Sequence, residues 1–152
     1  MKTAELGLPL TGDGIRGEPF EERHRAALQA ACAEDLDIWQ IYSMNFGPED
    51  FDRNIDLISS NKRCRTFVLF KGGGELVGMS SFLGIDEARQ VVEIGATYYR
   101  PAFRGTGFNA RCKDMMLKRA FGCGVRRVEF RVDVRNARSQ AAVAKIGGVR
   151  EG

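Results

Sequence analysis

At 152 residues, with 43% hydrophobic and 28% charged residues and a net charge of +3, the chain has the size and composition of one soluble globular domain able to bury a core. Its apolar runs span only a few residues, as in Phe67-Val68-Leu69-Phe70, too short for a membrane helix of about 20; its first residues lack the basic-then-apolar order of a secretion signal, so a cytoplasmic protein is expected. The mild charge speaks against a dedicated nucleic-acid binder, and four cysteines without C-x-x-C spacing, beside the single His24, speak against a metal site.

Residues 1–12, rich in Gly, Pro and Thr, predict a loose arm. A short strand is expected over 13–19. Pro19 and Glu21 then open a helix to about Ala33, with Leu28 and alanines on its core face. Residues 34–47 show no period and carry Trp39, Tyr42 and Phe46. Pro48 suits a helix start, Glu49 and Asp50 complement its dipole, and Phe51, Ile55 and Ile58 follow helical spacing. The period then changes. Strands are expected over 66–71, 76–85 and 90–99, with Gly72-Gly73-Gly74 turning the first into the second, which makes an antiparallel meander. A helix to about Phe121 carries Phe108, Cys112, Met116, Ala120 and Cys123 on one stripe and ends at Gly122 and Gly124. Residues 127–134 alternate, with Val128, Phe130, Val132 and Val134 facing one way and Arg127, Glu129, Arg131 and Asp133 the other, so a strand is expected along the whole stretch. Asn136 can cap a last helix through Val143 and Ile146, closed by Gly147-Gly148.

The strand, glycine-rich turn and helix over 94–121 carry the chemistry. A helix start presents unpaired N–H groups and a partial positive charge, and glycines let that backbone approach an anion closely, which makes a pyrophosphate cradle. Arg104 adds a charge-assisted contact, and the excess of basic residues between Arg100 and Arg150 suits an anionic ligand, although most of them also read as a solvated face. Gly107 is followed by Phe108, which rules out a Walker loop, and Phe108-Asn109-Ala110 breaks the dinucleotide fingerprint. Alone, two glycines before a helix are equally a tight structural turn.

They do not stand alone. Arg104 through Asn109 resembles motif A of the GNAT acetyltransferases, R/Q-x-x-G-x-G/A, with Arg104 first and Gly107 fourth. Asn109 stands where the pattern has Gly or Ala, a departure shared by the branch resembling the ribosomal-protein N-terminal (alanine/serine) acetyltransferases. Glu93-Ile94-Gly95, Thr97-Tyr98-Tyr99, Pro101, Gly105-Thr106, Asn109 and Lys113 follow that branch's order. Ala120-Phe121, Arg127-Val128, Asp133, Asn136, Ser139, Ile146-Gly147-Gly148 and Glu151-Gly152 continue it. The resemblance is specific over about 90–152 and looser from 13 to 90.

The resemblance implies one domain over 1–152 with an α/β (α+β) GNAT fold. Its twisted, mostly antiparallel sheet is flanked by helices, and its two central strands, here 90–100 and 127–134, splay apart. It implies acetyl-CoA as co-substrate and no metal, with Thr97, Tyr98, Arg104, Gly105, Thr106, Gly107, Phe108, Asn109 and Asn136 as the cofactor-binding set. Asn136 reads equally as a plain helix cap. It implies direct attack of an amine on the thioester. Backbone N–H near Thr97 or Tyr98 would stabilise the oxyanion, Glu93 would act as general base through water, and Ser139 would protonate the departing thiolate. Many relatives place Tyr at the last position; the plain alternatives are a salt-bridged strand carboxylate and a helix-surface serine. The acceptor is a small-molecule amine or a protein N-terminus, with neither nucleic acid nor membrane as partner. Trp39, Tyr42, Phe46 and Phe51 either line its groove or belong to the core. A non-catalytic CoA-binding sensor or interaction module is the rival function, and a phosphate-binding regulatory domain unrelated to CoA is a third. Relatives continue with two more strands beyond the Gly-x-x-Glu-Gly stretch, so the chain is expected to be cut short at its C-terminus, or to have that open edge covered by a second copy in a homodimer.

Overall fold

Apolar runs buried on both sides build the middle of one six-stranded sheet. In the computed structural model, which describes residues 1–152, the strands lie in chain order: β1 (Leu10–Gly12), β2 (Ile15–Pro19), β3 (Arg65–Lys71), β4 (Leu76–Asp86), β5 (Val91–Tyr99) and β6 (Arg127–Glu129). Neighbours are antiparallel except β5 and β6, which run parallel. A parallel pair needs a crossover, and the helix α4 (Phe108–Gly122) supplies it.

That crossover covers one face. Phe108, Cys112, Met116 and Ala120 of α4 pack on Phe67, Leu69, Val77, Phe82, Val92 and Ile94. The other face holds a second core: Leu28 and Cys32 of α2 (Arg25–Cys32) and Phe51, Ile55 and Ile58 of α3 (Phe51–Ser60) close over Val68, Met79 and Tyr98. Phe67, Val68 and Leu69 are therefore all fully buried, which is why β3 reads as a continuous apolar run rather than an alternating one.

The expected meander forms, and the structure corrects several boundaries. The arm is not loose. A short helix, α1 (Thr3–Leu6), and β1 occupy it, with Leu6 and Leu10 fully buried in the α4-side core. Arg119 of α4 fastens it by donating to the carbonyls of Glu5, Leu8 and Pro9 at 3.0, 2.7 and 3.0 Å. Turn-forming composition hid two apolar anchors whose core is assembled from the sheet strands and α4, far along the chain. Pro19 ends β2 instead of opening a helix. A 3-10 turn over Glu22–His24 precedes α2, tied by Glu21 N–H donating to His24 Nδ1 at 3.0 Å. Residues 34–47 are mostly irregular, as expected, with one 3-10 turn over Asp37–Ile41.

The largest difference concerns the last expected strand. Only Arg127–Glu129 joins the ladder, against Val91, Val92 and Glu93. Residues 130–133 have no partner strand and Val134 begins a turn, although the sequence of this stretch alternates. Alternation specifies which way side chains face; it carries no information on whether a neighbouring strand stays within hydrogen-bond reach. The chain then enters α5 (Ala137–Lys145), which buries none of its residues.

Candidate active site

The site begins where β5 leaves regularity. Ser81 pairs with Gly95 and Met79 with Tyr98, so Ala96 and Thr97 both oppose Ser80 in a bulge. Ala96 adopts φ +47°, a left-handed conformation costing roughly 1–3 kcal/mol for a residue with a side chain. Across the pair, Gly78 makes the bulge possible: a Cβ there would sit 1.9 Å from the Tyr98 carbonyl oxygen. Ser80 Oγ and Thr97 Oγ1 share a hydrogen bond of 2.7 Å. Tyr98 contributes only backbone. Its ring is in the core, stacked on Trp39 at 4.9 Å, and its hydroxyl donates to Ala31 O at 2.7 Å.

Beyond Tyr99 a 3-10 turn over Pro101–Phe103 leads into the glycine loop. Gly105 and Gly107 take φ +74° and +88°, and Gly107 is the N-cap of α4, with no side-chain cap. The first helical bond is Arg111 N–H to Gly107 O at 3.1 Å, so the N–H groups of Phe108, Asn109 and Ala110 are left without intrahelical acceptors. The Thr106 hydroxyl donates to Phe103 O at 2.5 Å, and Phe108 packs edge-on against Phe103 at 5.3 Å, which holds the loop rigid. These orphan donors and the helix dipole form an anion cradle.

Arg104 faces inward rather than toward the cradle. Its Nε donates to Tyr99 O at 2.9 Å and its Nη1 to Asp35 Oδ2 at 2.6 Å, while Nη2 is buried without an acceptor. The Arg104 hydrogen bond holds the Asp35 carboxyl below its ordinary range. Asp35 escaped the sequence reading because its partner stands 69 residues away, in a segment without period.

Glu93 forms the last pair of the β5–β6 ladder, opposite Glu129. Its carboxylate folds over Gly95, where a Cβ would stand 2.9 Å from Oε2, and Arg131 Nε lies 3.3 Å from Oε1. Burial raises its pKa, Arg131 opposes that, and Glu129 adds to it. Asn136 is a helix cap, its Oδ1 accepting from Ser139 N–H at 3.1 Å. Ser139 lies partly buried in the first turn of α5. The loop residues 104–109 are brought together, as are Asn136 and Ser139; no hydrogen bond joins Glu93 to Ser139. Trp39, Phe46 and Phe51 are core residues, while Tyr42 is partly buried, edge-on to Trp39 at 5.2 Å.

Orphan N–H groups at a helix start, set beside two parallel strands that part after three residue pairs, define a class of site. It suits an extended ligand with an anionic tail, held between a helix dipole and strand backbone. The family model of the acetyltransferase (GNAT) domain matches residues 17–149. A probable GNAT-family acetyltransferase from Chromobacterium violaceum superposes with a TM-score of 0.87 at 30% identity, covering 96% of this chain and 76% of that one. A GCN5-related N-acetyltransferase from Brucella melitensis gives 0.81 at 25% identity, covering 96% and 69%. The spermidine N-acetyltransferase of Vibrio cholerae in complex with CoA and spermine shares the fold, with a TM-score of 0.75 at 15% identity, covering 91% and 83%. No curated relative matches the sequence. The chain belongs to the GNAT acetyltransferase family and is an acetyl-CoA-dependent N-acetyltransferase. No helix is long and apolar enough to cross a membrane.

Proposed function

We propose that this protein transfers the acetyl group of acetyl-CoA directly to a primary amine, on a small molecule or a protein N-terminus, at the gap between β5 and β6. The observation that carries this reading is the parting of those strands at Glu93 and Glu129, beside the bulge at Ala96–Thr97. Acetyl-CoA supplies the activated carbonyl and the thiolate leaving group. Orphan N–H groups of Phe108, Asn109 and Ala110, with Gly105, Thr106 and Gly107 shaping the loop, bind the anionic tail. Arg104 buttresses the loop through Tyr99 and Asp35 and keeps one free N–H for an acceptor. Asn136 fixes the start of α5 beside the pantetheine path.

Glu93, kept more basic by burial, takes the proton from the incoming ammonium directly or through one water. The neutral nitrogen attacks the thioester carbon. Backbone N–H at Thr97 or Tyr98, held by the bulge, donates to the oxyanion. As the C–S bond breaks, the Ser139 hydroxyl gives its proton to sulfur, and the second proton shed by the attacking nitrogen passes through solvent to restore the hydroxyl.

The test is thiol release from acetyl-CoA with three amine classes: polyamines, free amino acids, and short peptides beginning with serine or alanine. Saturable turnover with one class is expected. Tight CoA binding with no turnover on any of them would replace the enzyme with a non-catalytic CoA-binding module.

A further inference from the structure

One buried cation has no task in the scheme above. Lys113 of α4 is only 7% exposed. Its side chain leans back toward the helix start, as helical side chains do, and Nζ donates to Asn109 Oδ1 at 2.8 Å. The Phe130 ring centroid lies 5.8 Å from the same nitrogen. Phe130 is the first residue past the β5–β6 ladder, and Asn109 stands in the first turn of α4 among the orphan N–H groups. The ammonium therefore occupies the corner between the helix start and the parting strands.

No carboxylate meets it there. Asp114, the one acidic residue on α4, pairs with Lys118 instead. An ammonium has three donors and no acceptor, and a neutral amide oxygen satisfies one of them. Burial lowers its pKa, as expected of a cation short of counter-charge. The two arginines flanking the cradle are engaged elsewhere. Arg104 is held by Asp35, and Arg111 lies over the Phe108 ring at 4.3 Å and donates to Asp13 O at 3.2 Å. A ligand that enters this corner with full negative charge meets both the orphan N–H groups and the unpaired ammonium. An amide carbonyl would leave the charge uncompensated.

We propose that Lys113 is a direct binding residue for the diphosphate of acyl-CoA, with Asn109 as the positioning residue that aims it. The inference rests on the acyl-CoA reading above and adds to the loop a cation from the helix interior. A compact ammonium on a flexible stem serves a diphosphate as a point charge without a fixed geometry.

Calorimetry on the full chain tests it, with CoA and inorganic pyrophosphate as phosphate-bearing probes, and NMR shift perturbation follows pantetheine, the arm without the diphosphate. Lys113→Met keeps the length of the side chain and removes the charge. It is expected to weaken CoA by about tenfold or more and to flatten the salt dependence of binding, to weaken pyrophosphate in parallel, and to leave pantetheine unchanged. The melting temperature of the ligand-free variant is expected not to fall, because an apolar side chain replaces an unpaired buried charge. Unchanged CoA affinity in a wild-type background that binds CoA would overturn the role of Lys113 alone. An equal loss for pantetheine would overturn the diphosphate assignment, as would a fall in melting temperature large enough to account for the lost affinity. Failure of the unmodified chain to bind CoA would overturn the acyl-CoA reading and this inference together.

Discussion

Phe67, Val68 and Leu69 of β3 are buried on both faces of the sheet, and β4 facing them places Val77, Met79 and Phe82 fully inside. On the far side of the same sheet, β6 holds three ladder pairs, Val134 is 75% exposed, and α5 buries nothing. The first region is held by two cores at once. The second is held by a short ladder, one helix cap and the crossover α4. The candidate site lies on the seam between them, where the rigid strand β5 carries the bulge and Glu93 while its neighbour falls away. A chain that bound its ligand inside the double core would have to break packing to admit it. Here the strands stop pairing at Glu93 and Glu129 without any core contact being given up, and the packed half keeps the donors at its border fixed.

The contrast can be broken most directly in the core. Phe67→Ala is expected to cost ~3–5 kcal/mol, read as a shift of the urea midpoint; a loss below about 1 kcal/mol would mean that the two faces do not depend on β3. The next effect is on the seam. Glu93→Gln is expected to lower kcat by roughly 10²–10⁴-fold while leaving acetyl-CoA affinity nearly intact. A base works deprotonated, and burial raises the Glu93 carboxyl. The acidic limb of kcat/KM should therefore lie above the usual glutamate range, and Arg131→Ala, which removes the cation opposing that rise, should move it to still higher pH. An acidic limb at the ordinary glutamate position, unmoved by Arg131→Ala, would take the role of base from Glu93.

Gly107→Asp places a carboxylate at the mouth of the cradle and a side chain at φ +88°. Acetyl-CoA affinity should fall by about tenfold or more from charge repulsion, and the backbone strain of about 1–2 kcal/mol at that φ should lower the melting temperature by a few degrees. An unchanged dissociation constant would remove the loop from the site. The smallest effect belongs to the loose flank. Asn136→Ala removes the cap of α5 and should cost about 1 kcal/mol, seen as faster amide exchange confined to α5. Exchange accelerating across β3 and β4 as well would show that the flank and the core open together.

Much of this was legible from neighbouring residues. Phe51, Ile55 and Ile58 announce α3, Phe108, Cys112 and Met116 announce the stripe of α4, and Gly105 and Gly107 mark the loop, because helical period, glycine conformation and capping act within a few residues. The family follows from the same stretch, since motif A is a local strand–turn–helix. Asn136 shows both sides of this limit. Its capping of α5 could be read from position alone, whereas what it lies beside depends on where β6 ends.

The residues themselves determined the periods, the turns and the cradle, since each depends on contacts between positions close in the chain. Only the tertiary structure decided that Leu6 and Leu10 are anchors, that Arg104 turns to Asp35, that Trp39 and Phe46 are core, and that the ladder between β5 and β6 stops at Glu93 and Glu129. It also decided that Lys113 is buried without a counter-ion. A side chain's facing is set by its own backbone, but its partner is set by how distant elements meet. Burial, ion pairing and the end of a strand ladder are all properties of that meeting.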